Sequence, residues 1–144
     1  MPLLGAMTVG YDDIEIGSKI PILVIEISSV RMVMYCAITW DFARVHYDPQ
    51  FVQRFELAKP AVDPQMHGAF AARMLSEWIT DSGRIGRLSL KYQAPCYLGD
   101  TITYGGEVVN KYTEGDARYI DCDITATNEK GDQPIVGTAR ILFY

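Results

Sequence analysis

Cysteine and histidine are scarce in this chain, and basic side chains are outnumbered by acidic ones. The three cysteines, Cys36, Cys96 and Cys122, are odd in number and far apart, with no CxxC pair and no His/Cys spacing suited to a metal. That excludes a disulfide framework and predicts reduced, mostly buried thiols in a cytoplasmic protein. Lys and Arg total 13 against 18 Asp and Glu, for a net charge of -5. Nucleic acid is therefore not an expected partner, because phosphate binding needs a basic face that displaces counterions. No segment approaches the roughly 20 apolar residues of a membrane span, so no membrane partner is expected. The opening Met1 to Met7 is apolar, but it lacks a basic lead and is followed by Asp12 and Asp13, unlike a signal peptide. No glycine-rich fingerprint follows a strand and no ligand cluster stands out, so neither a redox cofactor nor a metal is implied.

What is present is the material of one globular domain spanning residues 1–144, 49% hydrophobic and 22% charged. A chain of that length buries roughly two-thirds of the surface it exposes when unfolded, which is enough for a core without covalent staples.

Hydrophobic periodicity divides the chain in two. A short strand is expected over Ser18 to Ile27. Ser28 and Ser29 then cap a helix whose apolar stripe is Val30, Val33, Met34, Ala37 and Ile38, ending near Trp40. Asp48-Pro49 has the form of an N-cap followed by proline at the first helical position, and it opens a short helix to about Phe55. Pro60 and Pro64 mark Glu56 to Met66 as a loop. From His67-Gly68 a second helix carries the stripe Phe70, Ala71, Met74, Leu75, Trp78 and Ile79, and Asp81-Ser82-Gly83 ends it.

Beyond Gly83 the period becomes two. Leu88, Leu90 and Tyr92 alternate with Arg87, Ser89 and Lys91, and Ile120, Cys122, Ile124 and Ala126 alternate with polar residues. Turn residues at Leu98-Gly99-Asp100, Thr113 to Asp116 and Glu129 to Asp132 divide this half into four strands, read as an antiparallel meander. The layout is α+β, a curved antiparallel sheet of about five strands on a central helix. Its unpaired edges favour self-association.

A carboxylate and one of only two histidines, Asp41 and His46, lie five positions apart in DFARVHYDP. A carboxylate with an imidazole can take and return a proton at neutral pH. The spacing serves equally well for a polar loop with a half-buried histidine.

Tyr11 to Gly17, Asp41 with His46-Tyr47-Asp48-Pro49, His67-Gly68, and Tyr92 to Thr101 with its Pro95 and Gly99-Asp100 follow one another along the chain. Together they resemble the MaoC-like dehydratases of the hotdog superfamily, which include the (R)-specific enoyl-CoA hydratases. The resemblance covers Tyr11 to Tyr144. It implies a hotdog fold, an acyl-CoA substrate in a tunnel at a subunit interface, reversible addition of water across an α,β double bond, and a homodimer, a higher oligomer or a hetero-oligomer.

By the same resemblance, Asp41 and His46 form the catalytic dyad. Gly68 offers a backbone N–H at the helix N-terminus to the thioester oxygen, where the helix dipole favours negative charge. Arg44, His67, Arg84, Arg87 and Lys91 are candidates for binding substrate, the cations through the phosphates of coenzyme A. The chain departs from the family at Ala43-Arg44, where active hydratases commonly carry Asn-Pro.

Two other functions compete. A hotdog thioesterase would use the same helix end, but Gly68-Ala69-Phe70-Ala71-Ala72 supplies no carboxylate there. A non-catalytic subunit completing a partner's tunnel is the other, and Ala43-Arg44 keeps it open.

Overall fold

The computed structural model describes residues 9–144; the expectation about Met1 to Met7 lies outside them. Five strands and three α-helices follow in order: β1 Lys19–Glu26, α1 Ser29–Thr39, α2 Pro49–Val52, α3 Pro64–Ile79, β2 Gly83–Tyr92, β3 Thr101–Glu114, β4 Ala117–Asn128 and β5 Ile135–Phe143. The strands form one antiparallel sheet in the order β1-β3-β4-β5-β2. This is the α+β arrangement expected from the sequence, a five-stranded sheet on the central helix α3.

The core lies between α3 and the concave face of the sheet. Ala71, Met74, Leu75 and Ile79 pack against Ile102, Tyr104, Ile120, Ile124 and Ile141, all buried. Burying Leu75 completely contributes about 2 kcal/mol by the area it removes from water. Its replacement by Ala is expected to cost about 3 kcal/mol. At Gly137 a Cβ would lie 2.2 Å from the Ser89 carbonyl oxygen, so only glycine lets β5 and β2 approach as they do.

Three features differ from the sequence-based expectation. Strands β3, β4 and β5 form a meander, but β2 is not part of it: it pairs with β5 at the far edge. The chain reaches β3 by crossing the helix end, because residues 96–98 hydrogen-bond to 60–62 through Val62 N–H to the Cys96 carbonyl and Leu98 N–H to the Pro60 carbonyl. Glu56 to Met66 is thus held by that pairing over part of its length.

The central helix also begins earlier than His67. Asp63 caps it, its side chain accepting from Gln65 N–H at 2.8 Å, and Pro64 occupies the first turn. Proline lacks an N–H where none is needed and has φ preset for a helix, so it starts this helix instead of breaking the chain. Ser28 caps α1 as expected, accepting from Arg31 N–H. The buried face of α1 is nevertheless Met32 and Cys36. Val30, Val33, Met34 and Ile38 point outward, Ile38 at 81% exposure. The helix is apolar on both faces, and periodicity selected the face with more apolar residues, not the one turned to the sheet.

Candidate active site

Three local devices bring the dyad residues together. Trp40 ends α1 in the left-handed region at φ 59°, its N–H returning to the Cys36 carbonyl, and Asp41 follows at that corner. Asp41 Oδ1 accepts from Ala43 N–H at 3.1 Å, which turns the chain into a single 3-10 turn, Arg44–His46. His46 then lies buried, 8% exposed, with Nδ1 2.8 Å from the Ala61 carbonyl oxygen. A carbonyl oxygen only accepts, so Nδ1 carries a proton, and the neutral ring keeps its lone pair on Nε2.

Sequence reasoning missed the third member of this group. Asp63 is 3% exposed, and one of its carboxylate oxygens, one of Asp41 and one ring nitrogen of His46 all lie within 4.8 Å of one another. The Asp63-Pro64 dipeptide carried the signal, since Asp48-Pro49 has the same form and function: Asp48 accepts from Gln50 and Phe51 N–H. An imidazole with two carboxylates can move a proton or orient water, and these are also ligand types for a divalent cation.

Beside the triad opens a cavity of about 370 Å³ walled by Val45, Val62, Pro64, Ile135 and Tyr92, with His46 and His67 among its polar groups. His67 is buried, with Nδ1 2.6 Å from the Tyr104 hydroxyl oxygen. Burial lowers its pKa to about 4, so at neutral pH it is an uncharged wall residue. The Cys96 thiol also lines the cavity, and burial, followed by the charge of Asp100, pushes its pKa up to about 11, so it stays protonated.

The other candidates stand elsewhere. Arg44 turns outward, with Nη2 2.6 Å from Asp48 Oδ2 and its guanidinium over the Phe51 ring at 4.8 Å. The ion pair with Arg44 and the bond from Phe51 N–H hold the Asp48 carboxyl below the usual carboxylate range. Arg84, Arg87 and Lys91 are exposed on β2, where they alternate with the half-buried Ile85, Leu88 and Leu90 across a bulge at Gly86. Arg87 and Lys91 border outer-face grooves with Asp121 and Asp123, not the cavity beside His46.

Gly68 is the fifth residue of α3, not its start. At that depth the α-helical ladder pairs its N–H with the Pro64 carbonyl, so it is not a free amide at a helix end. The first-turn amides are engaged by Asp63: Gln65 N–H by its side chain, and Met66 N–H by its carbonyl at 3.0 Å. Packing does not demand glycine at 68 either, since an added Cβ would meet the Tyr92 hydroxyl at 3.7 Å, an ordinary contact.

Solved structures share the whole architecture. An (R)-hydratase from A. caviae involved in PHA biosynthesis superimposes with a TM-score of 0.79 at 21% identity, covering 89% of this chain and 96% of that one. R-hydratase PhaJ1 from Pseudomonas aeruginosa gives 0.86 at 19%, covering 94% and 86%. A chain of the ChsH1-ChsH2 complex from Mycobacterium tuberculosis gives 0.80 at 22%, covering 90% and 98%. No curated protein matches the sequence. The family model for the MaoC like domain matches residues 15–130, from before β1 into the turn after β4. The sheet, the helix it holds and the sequence pattern along them agree: the chain belongs to the MaoC-like domain family.

Proposed function

We propose that this chain is a hydratase or dehydratase of acyl thioesters, adding water reversibly across an α,β double bond, with coenzyme A as the carrier. The observation that carries this reading is the bond from His46 Nδ1 to the Ala61 carbonyl, which leaves Nε2 as the basic nitrogen of a ring that stands with Asp41 and lines an apolar cavity.

In hydration, Asp41 and His46 hold one water. As its oxygen bonds to the β-carbon, Nε2 takes one of its protons and the alkene electron pair moves onto the thioester oxygen as an enolate. The enolate collapses and its α-carbon takes the proton back from Nε2, so water is added and the imidazole returns to neutral. Dehydration runs the same steps in reverse.

The experiment follows loss of the conjugated enoyl absorbance with a panel of trans-2-enoyl-CoA chain lengths. Wild type is expected to turn over at least one of them, and Asp41→Asn to fall by about 100-fold or more in kcat. Equal turnover by the two would remove Asp41 from the chemistry.

A thioesterase is the second reading, and Asp63 favours it. The sequence from Gly68 to Ala72 offers no carboxylate, but the helix starts at Asp63, a buried one. Free thiol released from a saturated acyl-CoA would identify hydrolysis. An isolated chain that does neither, but gains activity with a second hotdog chain, would be the non-catalytic subunit of a hetero-oligomer. The apolar outer face of α1 and the two sheet edges, β1 and β2, support assembly with another copy or such a chain.

A further inference from the structure

Asp41 and Asp63 bring two carboxylates to one place, and no ion pair among the described residues includes either of them. One oxygen of each lies within 4.8 Å of the other and of a ring nitrogen of His46. Asp63 is 3% exposed and His46 8%. The cations nearest in sequence are turned elsewhere: Arg44 is held by Asp48, and Lys59 Nζ lies 3.9 Å from where a Cβ on Gly99 would stand. The field of Asp63 reaches Tyr35 and Tyr92, whose phenols are held above their ordinary pKa by burial and, after it, by that carboxylate. Converging carboxylates repel, and a buried one is costly to leave without a positive partner.

The donor set suits a zinc-like ion. His46 Nδ1 donates to the Ala61 carbonyl at 2.8 Å, so the lone pair on Nε2 has no protein partner among the described residues. The same bond fixes the ring, as the outer partner of a metal-bound imidazole does. Asp63 Oδ1 is engaged by Gln65 N–H and Asp41 Oδ1 by Ala43 N–H, and the second oxygen of each meets no donor among the described residues. Metal bonds of about 2.1 Å in a tetrahedral site place ligand atoms about 3.4 Å apart, so the group closes by about 1 Å around an ion. Asp41, half-buried at the loop corner, is the member free to make that movement. Two carboxylates are too few oxygens to hold calcium or magnesium, whereas an imidazole favours zinc and its neighbours.

We propose that Asp41, His46 and Asp63 form a binding site for a divalent cation of the zinc class, and that the bound ion closes the reaction. It does so by taking the carboxylate and the Nε2 lone pair that otherwise hold and deprotonate water. The binding stands on the geometry of the three side chains, and the closure rests on the hydration reading of the same loop.

The test measures zinc and cobalt(II) binding to the full chain, first stripped with EDTA, by equilibrium dialysis and by the visible absorption of cobalt. Wild type is expected to bind one ion per chain in the micromolar range and no magnesium in that range. Its cobalt spectrum should lack a thiolate charge-transfer band, because the three cysteines are buried outside this group. Two variants are compared. Asp63→Asn, which keeps an acceptor for Gln65 N–H, and His46→Gln should each raise Kd by about 100-fold or more, beyond what losing an outer partner costs. Turnover of a trans-2-enoyl-CoA by wild type should fall in step with zinc occupancy and return on adding EDTA.

No zinc binding by wild type, or equal affinity in wild type and both variants, overturns the site. Binding that leaves turnover unchanged or raises it overturns the closure. A wild type that binds zinc but turns over no thioester upholds the site and overturns the reading of the reaction, and the closure with it.

Discussion

His46 Nδ1 stands 2.8 Å from the carbonyl oxygen of Ala61, and the N–H of Ala61 donates to the carbonyl of Val45 at 3.0 Å. One residue of the crossing segment therefore grips both the imidazole and the backbone that presents it. The loop carrying Ala43-Arg44 is held from outside, by Ala61 and by the Asp41 turn, which replaces the rigidity that proline would bring.

Asp63 has two separable roles. Asp63→Asn keeps an acceptor for Gln65 N–H and is expected to unfold within about 0.5 kcal/mol of wild type, whereas Asp63→Ala loses about 1 kcal/mol with the cap. Urea unfolding checks both. The same Asp63→Asn protein separates the two chemistries: it is expected to retain hydration, while loss of thiol release would assign the carboxylate to hydrolysis.

His67 makes stability depend on pH. Its folded pKa is about 4, below its ordinary value of 6.5, so the unfolded chain binds a proton first. This contribution to stability is complete above pH 6.5 and is lost as pH falls toward 4, by about 3 kcal/mol if the whole shift is realised. Urea midpoints at pH 7.5, 6 and 5 should fall less steeply in His67→Gln, whose amide can still hydrogen-bond with the Tyr104 hydroxyl. Parallel slopes in the two proteins would show that other groups carry the dependence.

Arg44 faces Asp48 and the Phe51 ring in solvent. Exposed ion pairs contribute little, so Arg44→Ala is expected to change kcat by less than about twofold and the thermal midpoint only slightly. A large rise in KM for coenzyme A thioesters, absent with a short pantetheine thioester, would restore Arg44 as a phosphate contact.

The outer face of α1 exposes Val30, Val33, Met34 and Ile38, and Trp40 follows it at 83% exposure. Such a patch is expected to be covered by another copy of the chain. Light scattering after gel filtration should give a dimer or larger for wild type and a smaller species for Ile38→Glu. A monomeric wild type would contradict it.

The sequence itself determined the elements whose signals are local. Period-two alternation placed the strands, Ser28 and Asp48-Pro49 placed two helix starts, and the short spacing of Asp41 and His46 marked the loop they share. Asp63-Pro64 carries the same cap signal as Asp48-Pro49. In sequence it has the look of a break, because a second proline, Pro60, stands four residues earlier in a stretch without apolar periodicity.

Only the tertiary structure decided which face of α1 is buried, because both faces are apolar and burial is a property of the surface opposite. It alone decided that β2 lies at the edge beside β5, since strand neighbours are set by long-range hydrogen bonds that leave no local trace. It also joined Asp63 and Tyr92 to a loop far from them in sequence, through the pairing of residues 60–62 with 96–98 across the helix end.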